Sequence, residues 1–485
     1  MHKATLASRT FDQSDQALFA RLSGDFNPMH IDPLAARKTQ AGATVVHGIH
    51  ALLWAVDKLL EAAAVNDEIV SVRVHFTKFI YVGSKVDLKP LQGEEKSIKA
   101  ELVQDGITTT TLVLDLGARK QSSDVSFPVG SFTKSAMNGV ANDLCMEEMT
   151  DLSGRMELAA PSDEIGHLFP HAASVIGCRR VAAIALSSRL VGMICPGLHS
   201  IFSSLSVELV DDLAYEDGLG FRVCKVHDKI RMVRMDVSGS GVRGSVQAFM
   251  RQPPVAQPAV SDIAKLVSPT EFAGFTALIV GGSRGLGELT AKVVAAGGGK
   301  VIVTYATGRE DAMRLAQGIR REKGYDICDV LQFEARENVA SQLSMLNCKI
   351  SHLYYFATPH IFRQKEGLFS KSVFDDFFQI YVKGFYDCCR FLADRGSGPF
   401  VAFYPSSVAV DDHPLAMTEY SMAKSAGELL CADLNRSECG FRVFVSRLPR
   451  LLTDQTATVN PVKNDDPLEI MLPIIRNVQL LRPSS

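Results

Sequence analysis

At 485 residues the chain is too long for a single hydrophobic core, and length alone suggests two to four domains. Its 46% hydrophobic and 22% charged residues are ordinary for a soluble globular protein, and a net charge of −3 leaves no basic footprint for nucleic acid or an anionic membrane. Ten cysteines without a C-x-x-C pair read as buried thiols in a reducing compartment, which argues against a disulfide framework or a zinc site.

The first residues, MHKATLASRTFDQSDQ, lack the apolar stretch of a secretory signal, so a cytoplasmic location is expected. Leu22 to Asp32 reads L-S-G-D-F-N-P-M-H-I-D and crowds Asp25, Asn27, His30 and Asp32 into one turn marked by Gly24 and Pro28. A rigid scaffold tends to display chemistry on such a turn. Taken alone, the same turn is equally a capped turn in which Asp25 and Asn27 bond backbone amides.

A helix with an apolar face is predicted from His47 to Ala64, opened by Thr44-Val-Val-His-Gly-Ile-His50. Gly48 at its start leaves backbone amides and the positive end of the helix dipole for an oxyanion. Four strand-like stretches follow: Ile69 to Phe76, Ser84 to Pro90, Ser97 to Gln104 and Thr108 to Leu114. Gly117 to Leu152 is polar and irregular.

The same order then recurs. A helical stretch from Glu164 to Leu186 precedes strand-like segments at Ser204 to Val210, Leu219 to Val226, Ile230 to Val237 and Val242 to Met250. The longest apolar run, Val181 to Met193, is broken by Arg189 and is too short to span a bilayer. One long helix followed by antiparallel strands, twice, suggests two copies of an α+β unit. The second copy holds Asp163, His167, His171 and His199 without the D-x-N-P-x-H spacing, and these are expected to be solvated or satisfied side chains.

Arg251 to Val260 carries three prolines in ten residues and reads as an extended, semi-rigid linker. Beyond it strands alternate with helices: a strand at Ala277 to Val280, a helix at Gly285 to Ala296 and a strand at Lys300 to Tyr305. A helix near Asp311 to Glu322 follows, then strands near Val330 and at Leu353 to Phe356. The pattern ends with a helix at Lys371 to Leu392, a strand at Phe400 to Tyr404 and a helix from Tyr420 to Leu434. This alternation implies a doubly wound parallel sheet. Val280-Gly-Gly-Ser-Arg-Gly-Leu-Gly287 joins a strand to a helix, which lets backbone amides meet a pyrophosphate. Tyr420-Ser-Met-Ala-Lys424 puts Tyr420 and Lys424 on one helical face, and Ser407 lies thirteen residues before Tyr420.

From Phe11 to Leu116 the S-G-D-x-N-P-x-H turn and the V-x-H-G helix start resemble the MaoC-like, R-specific enoyl-CoA hydratase family of hot-dog folds. The resemblance implies that Asp25 and His30 handle the water and the proton, that the Gly48 amide faces the thioester oxygen, and that Asn27 orients the loop or the water. His47 is expected to pack or hydrogen-bond, not to act as a catalyst. From Phe275 to Leu452 the glycine turn and the Ser407–Tyr420–Lys424 set resemble the short-chain dehydrogenase/reductase family of 3-oxoacyl reductase type. There Tyr420 would deliver a proton, Lys424 would lower the phenol's pKa and bind the nicotinamide ribose, and Ser407 would bond the carbonyl. The cofactor would rest on Gly281, Ser283, Arg284, Gly285, Leu286 and Gly287. Tyr305 stands where NAD-preferring members carry an acidic residue, and Arg284 resembles the arginine offered to a 2′-phosphate, so NADPH is expected.

Three positions depart from the dehydrogenase pattern: Tyr355-Phe-Ala-Thr358 replaces N-N-A-G, Tyr381 replaces the helix asparagine that anchors a relay water, and Arg447-Leu-Pro-Arg-Leu-Leu-Thr453 lacks the usual Pro-Gly pair. Lys383 or Tyr381 could stand in for the asparagine. The expected architecture is therefore a double α+β hot-dog followed by an α/β Rossmann-type sheet. The expected divisions are a hydratase domain at 1–120, a non-catalytic hot-dog at 121–255, a linker at 256–270 and a reductase at 271–485. The expected substrate partner is a coenzyme A or acyl carrier protein thioester, with no metal, nucleic acid or membrane, and with homo-oligomerisation allowed. The alternatives are a degradative hydratase/dehydrogenase pair like that of the peroxisomal multifunctional enzymes, and a reductase module decayed to a binding or scaffold role.

Overall fold

The computed structural model describes residues 4–63, 67–92, 96–121, 139–211, 217–362, 367–395, 399–437, 439–457 and 462–481. The chain forms two compact units that part at Pro253 and Pro254. Among the described residues no helix is long and apolar enough to cross a membrane.

In the first unit the strands are β1 (Ala7–Thr10), β2 (Glu68–Phe76), β3 (Lys85–Leu91), β4 (Ser97–Gln104), β5 (Ile107–Gly117), β6 (Lys120–Gln121), β7 (Ser153–Met156), β8 (Ser200–Asp211), β9 (Leu219–His227), β10 (Met232–Gly239) and β11 (Val242–Met250). They make one sheet in the order β1-β3-β4-β5-β2-β8-β11-β10-β9-β7, with β6 beside β8. Read outward from the β2–β8 seam, each half repeats the same sequence of strands. The repeat expected from the helix-and-strand pattern is thus present in the connectivity. At the seam β2 and β8 pair antiparallel, from Ser71 opposite Glu208 to His75 opposite Ser204.

A single core fills both halves. The helix Gly48–Ala62 buries Ile49, Leu52, Leu53, Trp54 and Val56, as expected of a helix with an apolar face. These side chains share one cluster with Val72, Val74 and Leu112 of the first half and with Val181, Leu205 and Val246 of the second. Burying a side chain of this size stabilises the fold by about 1.5–3 kcal/mol.

The stretch Glu164 to Leu186 differs from expectation. It forms three helices, Ser162–Leu168, Pro170–Ile176 and Cys178–Arg189. Pro170 has no amide to continue the first helix but suits the start of the second. Gly177, at φ 99°, leaves helical geometry before the third. That third helix runs on into a wide π turn at Leu190–Ile194. Of the stretch expected to be irregular, 122–138 lies outside the described residues.

The second unit is a parallel sheet of β12 (Thr276–Val280), β13 (Lys300–Tyr305), β14 (Cys328–Gln332), β15 (His352–Tyr355), β16 (Phe400–Ser407) and β17 (Phe441–Leu448), in the order β14-β13-β12-β15-β16-β17. Alternate residues of β12 face opposite layers: Ala277 and Ile279 join one core cluster, Leu278 and Val280 the other. Strand order reverses between β12 and β15, which makes their carboxyl ends the switch-point crevice of a Rossmann-type sheet. Lys371 to Leu392, read as one helix, is Lys371–Phe378 and Phe385–Asp394 joined by a wide π turn at Gln379–Gly384.

The linker also departs from expectation. Residues Val260–Ile263 form a helical turn, and Val260, Ile263 and Val267 are buried in the core of the second unit. The Lys292 ammonium donates to the Gln257 carbonyl and the Val255 amide to Asp454, so this stretch is docked along the sheet's first helix. Apolar residues at a spacing of three and four give it one sticky face that an extended spacer would leave in water.

Candidate active sites

In the first unit the helix Gln13–Ser23 ends at Gly24 (φ 77°), which turns the chain into the Asp25 loop. Asp25 is 2% exposed. Its carboxylate accepts from the Asn27 amide at 3.1 Å and from the Ser188 hydroxyl at 2.6 Å. Burial pushes its pKa up, while His30, Ser188 and the Asn27 amide pull it back. Asn27 caps the turn Pro28–Ile31 by accepting from the Met29 amide, and its own amide donates to the Gly192 carbonyl at 2.8 Å. The capped-turn reading and the functional one therefore describe the same loop.

His30 places Nδ1 2.8 Å from the Val45 carbonyl. A carbonyl oxygen only accepts, so Nδ1 donates there, and in the neutral tautomer Nε2 is then the acceptor that a general base needs. Its ring stacks on His47 at 3.9 Å between centroids. His47 is fully buried, with Nδ1 2.9 Å from Gln16 Oε1 and Nε2 3.0 Å from the Asp25 carbonyl oxygen. Burial and His30 push its pKa well below the ordinary histidine range while the Asp25 carbonyl raises it, and its two ring contacts tie the Asp25 loop to Gln16. Gly48 opens the Gly48–Ala62 helix, whose start has no side-chain cap. In the second half, the partly exposed His171 lies 3.7 Å from Glu61, whereas His199 places Nε2 3.2 Å from Asp143 but buries Nδ1 without a hydrogen-bond partner, so it departs from the expected satisfied side chain.

In the second unit Ser407 ends β16, and Tyr420 and Lys424 lie on the helix Thr418–Arg436. All three line one cleft of about 330 Å³, together with Thr358, Tyr381 and Arg450. Tyr420 is buried and hydrogen-bonds Ser407; burial raises its pKa and the serine lowers it. Lys424 donates to the Pro405 carbonyl at 2.6 Å, and burial pulls its pKa down to about 7. Lys383 is half-exposed and paired with Asp387 at 2.9 Å, outside the cleft lining, so it does not replace the missing asparagine. Tyr381 reaches the cleft and Lys383 does not.

The glycine turn is tightly built. At Gly281 (φ 75°) an added Cβ would lie 2.8 Å from the Ala357 amide nitrogen, and at Gly287 it would collide with the Gly281 carbonyl. The Gly281 amide donates to Thr304 Oγ1 at 3.0 Å, fixing the turn to β13. At Gly285 (φ 59°) nothing lies nearer an added Cβ than Thr453 Cγ2 at 4.0 Å. Open space beside a helix start fits a dinucleotide pyrophosphate. Leu286 reaches the cleft, Ser283 sits within the turn and Tyr305 ends β13 half-buried. Arg284, however, is bound at 3.0 Å to Asp454, so a 2′-phosphate would have to share that partner.

Residues 2–113 match the MaoC like domain family, and residues 275–463 match the short chain dehydrogenase family. The chain carries a MaoC-like domain and a short-chain dehydrogenase domain. In sequence it is 36% identical over 75 residues to the peroxisomal hydratase-dehydrogenase-epimerase of Saccharomyces cerevisiae, covering 16% of this chain and 8% of that protein. It is 30% identical over 79 residues to the mitochondrial 3-hydroxyacyl-[acyl-carrier-protein] dehydratase of Arabidopsis thaliana, covering 16% and 47%. The match thus spans less than half the length of either relative. Similar solved structures include an alcohol dehydrogenase of Thermococcus sibiricus complexed with 5-hydroxy-NADP (TM-score 0.37, 18% identity, 43% of this chain and 91% of that one) and the FolM alternative dihydrofolate reductase 1 of Brucella canis complexed with NADP (0.33, 16%, 37% and 74%).

The MaoC-like site draws on residues that the motif does not contain. Ser188 and Gly192 come from the second half, and a Cβ at Gly192 would collide with the Asp25 carboxylate. A faint signal existed: Ser187 and Ser188 interrupt an apolar helical run, and a buried hydroxyl needs a partner. Replacing Ser188 by alanine removes a bond that stabilises the charged carboxylate. The acid limb of hydratase activity is therefore expected to move to higher pH, with a loss of about 1.5–3 kcal/mol at the carboxylate. A pH–rate profile of enoyl thioester hydration checks this; an unmoved limb would separate Ser188 from the site.

Proposed function

We propose that the chain reduces 3-oxoacyl thioesters to (3R)-hydroxyacyl thioesters with NADPH and reversibly dehydrates them to 2-enoyl thioesters. The observation that carries this reading is that each unit gathers its own motif in space. Asp25 and His30 lie beside the start of the core helix, and Ser407, Tyr420 and Lys424 share one cleft. In the first unit Asp25 would take a proton from water in hydration and return it to the leaving hydroxyl in dehydration, while His30, through Nε2, would give the α-carbon its proton in hydration and take it back in dehydration. The Gly48 amide would polarise the thioester oxygen.

In the second unit the nicotinamide cofactor supplies hydride when bound. Tyr420 hands its proton to the carbonyl oxygen, Ser407 bonds that oxygen, and Lys424 stabilises the phenolate left behind. Gly281, Ser283, Gly285, Leu286 and Gly287 would hold the dinucleotide, with its phosphates at the helix Gly285–Ala296. We place the non-catalytic second hot-dog within 121–255, where it supports the first as a covalent partner. The decisive experiment gives the whole chain a short 3-oxoacyl thioester, on coenzyme A and on acyl carrier protein, and follows reduced cofactor and enoyl product together. Cofactor consumption without enoyl thioester would leave the two units serving different substrates.

A second reading runs the same two reactions in the oxidative direction with NAD. One observation favours it: Arg284 is already engaged by Asp454. Tyr305 offers no carboxylate to a ribose, which favours the first. Replacing Arg284 by alanine is expected to cost NADPH use about 1.5–3 kcal/mol in kcat/KM while leaving NADH use nearly unchanged. A wild-type preference for NADH, or an equal loss with both cofactors, would overturn the NADPH reading.

A further inference from the structure

Lys424 occupies a place that offers a cation little water. The titratable groups facing it are Glu428, Cys431 and Tyr420 on its own helix, Tyr404 on β16 and Tyr381 on the wide turn. The Glu428 carboxylate is already held by Arg447, which donates from Nε at 2.8 Å and from a second nitrogen at 2.6 Å, and by the Ser406 hydroxyl. Besides the Pro405 carbonyl, the ammonium faces three aromatic rings. The Tyr381 ring centroid is 3.9 Å from Nζ, against 5.2 Å for Tyr404 and 5.8 Å for Tyr420. A cation gains most from a ring face when both are out of water, and Tyr381 and Lys424 are 2% and 5% exposed.

The Tyr381 ring is fixed from several directions. Its hydroxyl lies 2.6 Å from the Thr358 hydroxyl, which donates to the Pro359 carbonyl at 3.0 Å. Its face stacks on Phe377 at 5.7 Å and 7°, and it meets Tyr420 edge-on at 5.7 Å. The wide turn that carries it is pinned where the Tyr355 hydroxyl donates to the Ile380 carbonyl at 2.8 Å. Two departures from the dehydrogenase pattern, Thr358 and Tyr381, are therefore one hydrogen-bonded pair.

We propose that Tyr381 is a positioning residue of the reductase centre, its ring face holding the Lys424 ammonium where related dehydrogenases use an asparagine and a water. The inference rests on the reductase reading of this unit. Burial favours a neutral Lys424, and the ring favours the charged form that Tyr420 needs beside it. Removing the ring face lowers the pH at which Lys424 loses its charge, and reduction fails earlier on the alkaline side.

The test is an NMR titration of isotope-labelled lysine in the whole chain, with the Lys424 signal identified by its loss in Lys424→Met. Tyr381→Phe should leave the Lys424 midpoint nearly in place, and Tyr381→Leu should lower it by about one pH unit. Ring-fluorinated phenylalanines introduced at 381 keep the shape but weaken the ring face, and they should lower the midpoint stepwise even if Y381L folds poorly. The alkaline limb of kcat/KM for ketone reduction should move down in the same order. An unmoved midpoint across the fluorinated series, or a Y381F variant as impaired as Y381L, overturns the proposal. A chain that reduces no 3-oxoacyl thioester with either nicotinamide cofactor would sink the reductase reading, while the titration would still decide the ammonium–ring pairing.

Discussion

Replacing Tyr420 by phenylalanine will remove ketone reduction and leave hydration intact. The change deletes one hydroxyl from a ring that packs edge-on against Phe377 at 5.8 Å and Tyr381 at 5.7 Å, so the surrounding core keeps its shape. What disappears is the proton donor to the carbonyl oxygen and the hydrogen bond to Ser407. Positioned general acids contribute roughly 10²–10⁴-fold, and a loss of that size in kcat is expected. The check follows cofactor oxidation with a 3-oxoacyl thioester and, separately, hydration of a 2-enoyl thioester. A Y420F enzyme that keeps most of its reductase rate would remove Tyr420 from the chemistry.

Asp25→Asn is the converse experiment. The amide matches the carboxylate in size, so the collision-tight site beside Gly192 is preserved, but the charge and one acceptor are lost. The Ser188 hydroxyl and the Asn27 amide both donate to Asp25, and an asparagine has a single acceptor oxygen for them. Hydration should fall roughly 10²–10⁴-fold, with reduction by the other unit unchanged. If either substitution abolished both activities in a folded protein, the idea of two independent centres would be wrong.

The D-x-N-P-x-H turn, the glycine turn and the Tyr420–Lys424 spacing were legible because each is a local pattern whose residues lie within a few positions of one another. Helix and strand periodicity placed the major elements for the same reason: burial on one face repeats every two or three to four residues. Ser188 was not legible as part of a site. Its bond to Asp25 spans 163 positions and depends on how the two halves of the sheet pair. The Arg284–Asp454 pair spans 170 positions and likewise follows from the fold, which is why the arginine read from sequence as an open partner for phosphate. Tyr381 was visible as a departure, but which way its ring would face was decided by the wide turn at Gln379–Gly384.

The docked stretch after Pro253 sets where this molecule can be cut. A proline-rich segment invites a division at its far end, where the first parallel strand begins. That cut would strip Val260, Ile263 and Val267 from the interior, and would take the Val255 amide from Asp454 and the Gln257 carbonyl from Lys292. Asp454 is also the residue that holds Arg284, so trimming the chain there would disturb the mouth of the dinucleotide crevice as well as the core beneath it. The stretch that follows Pro253 thus belongs to the second unit, and that unit expressed alone is expected to need it from Pro254 on.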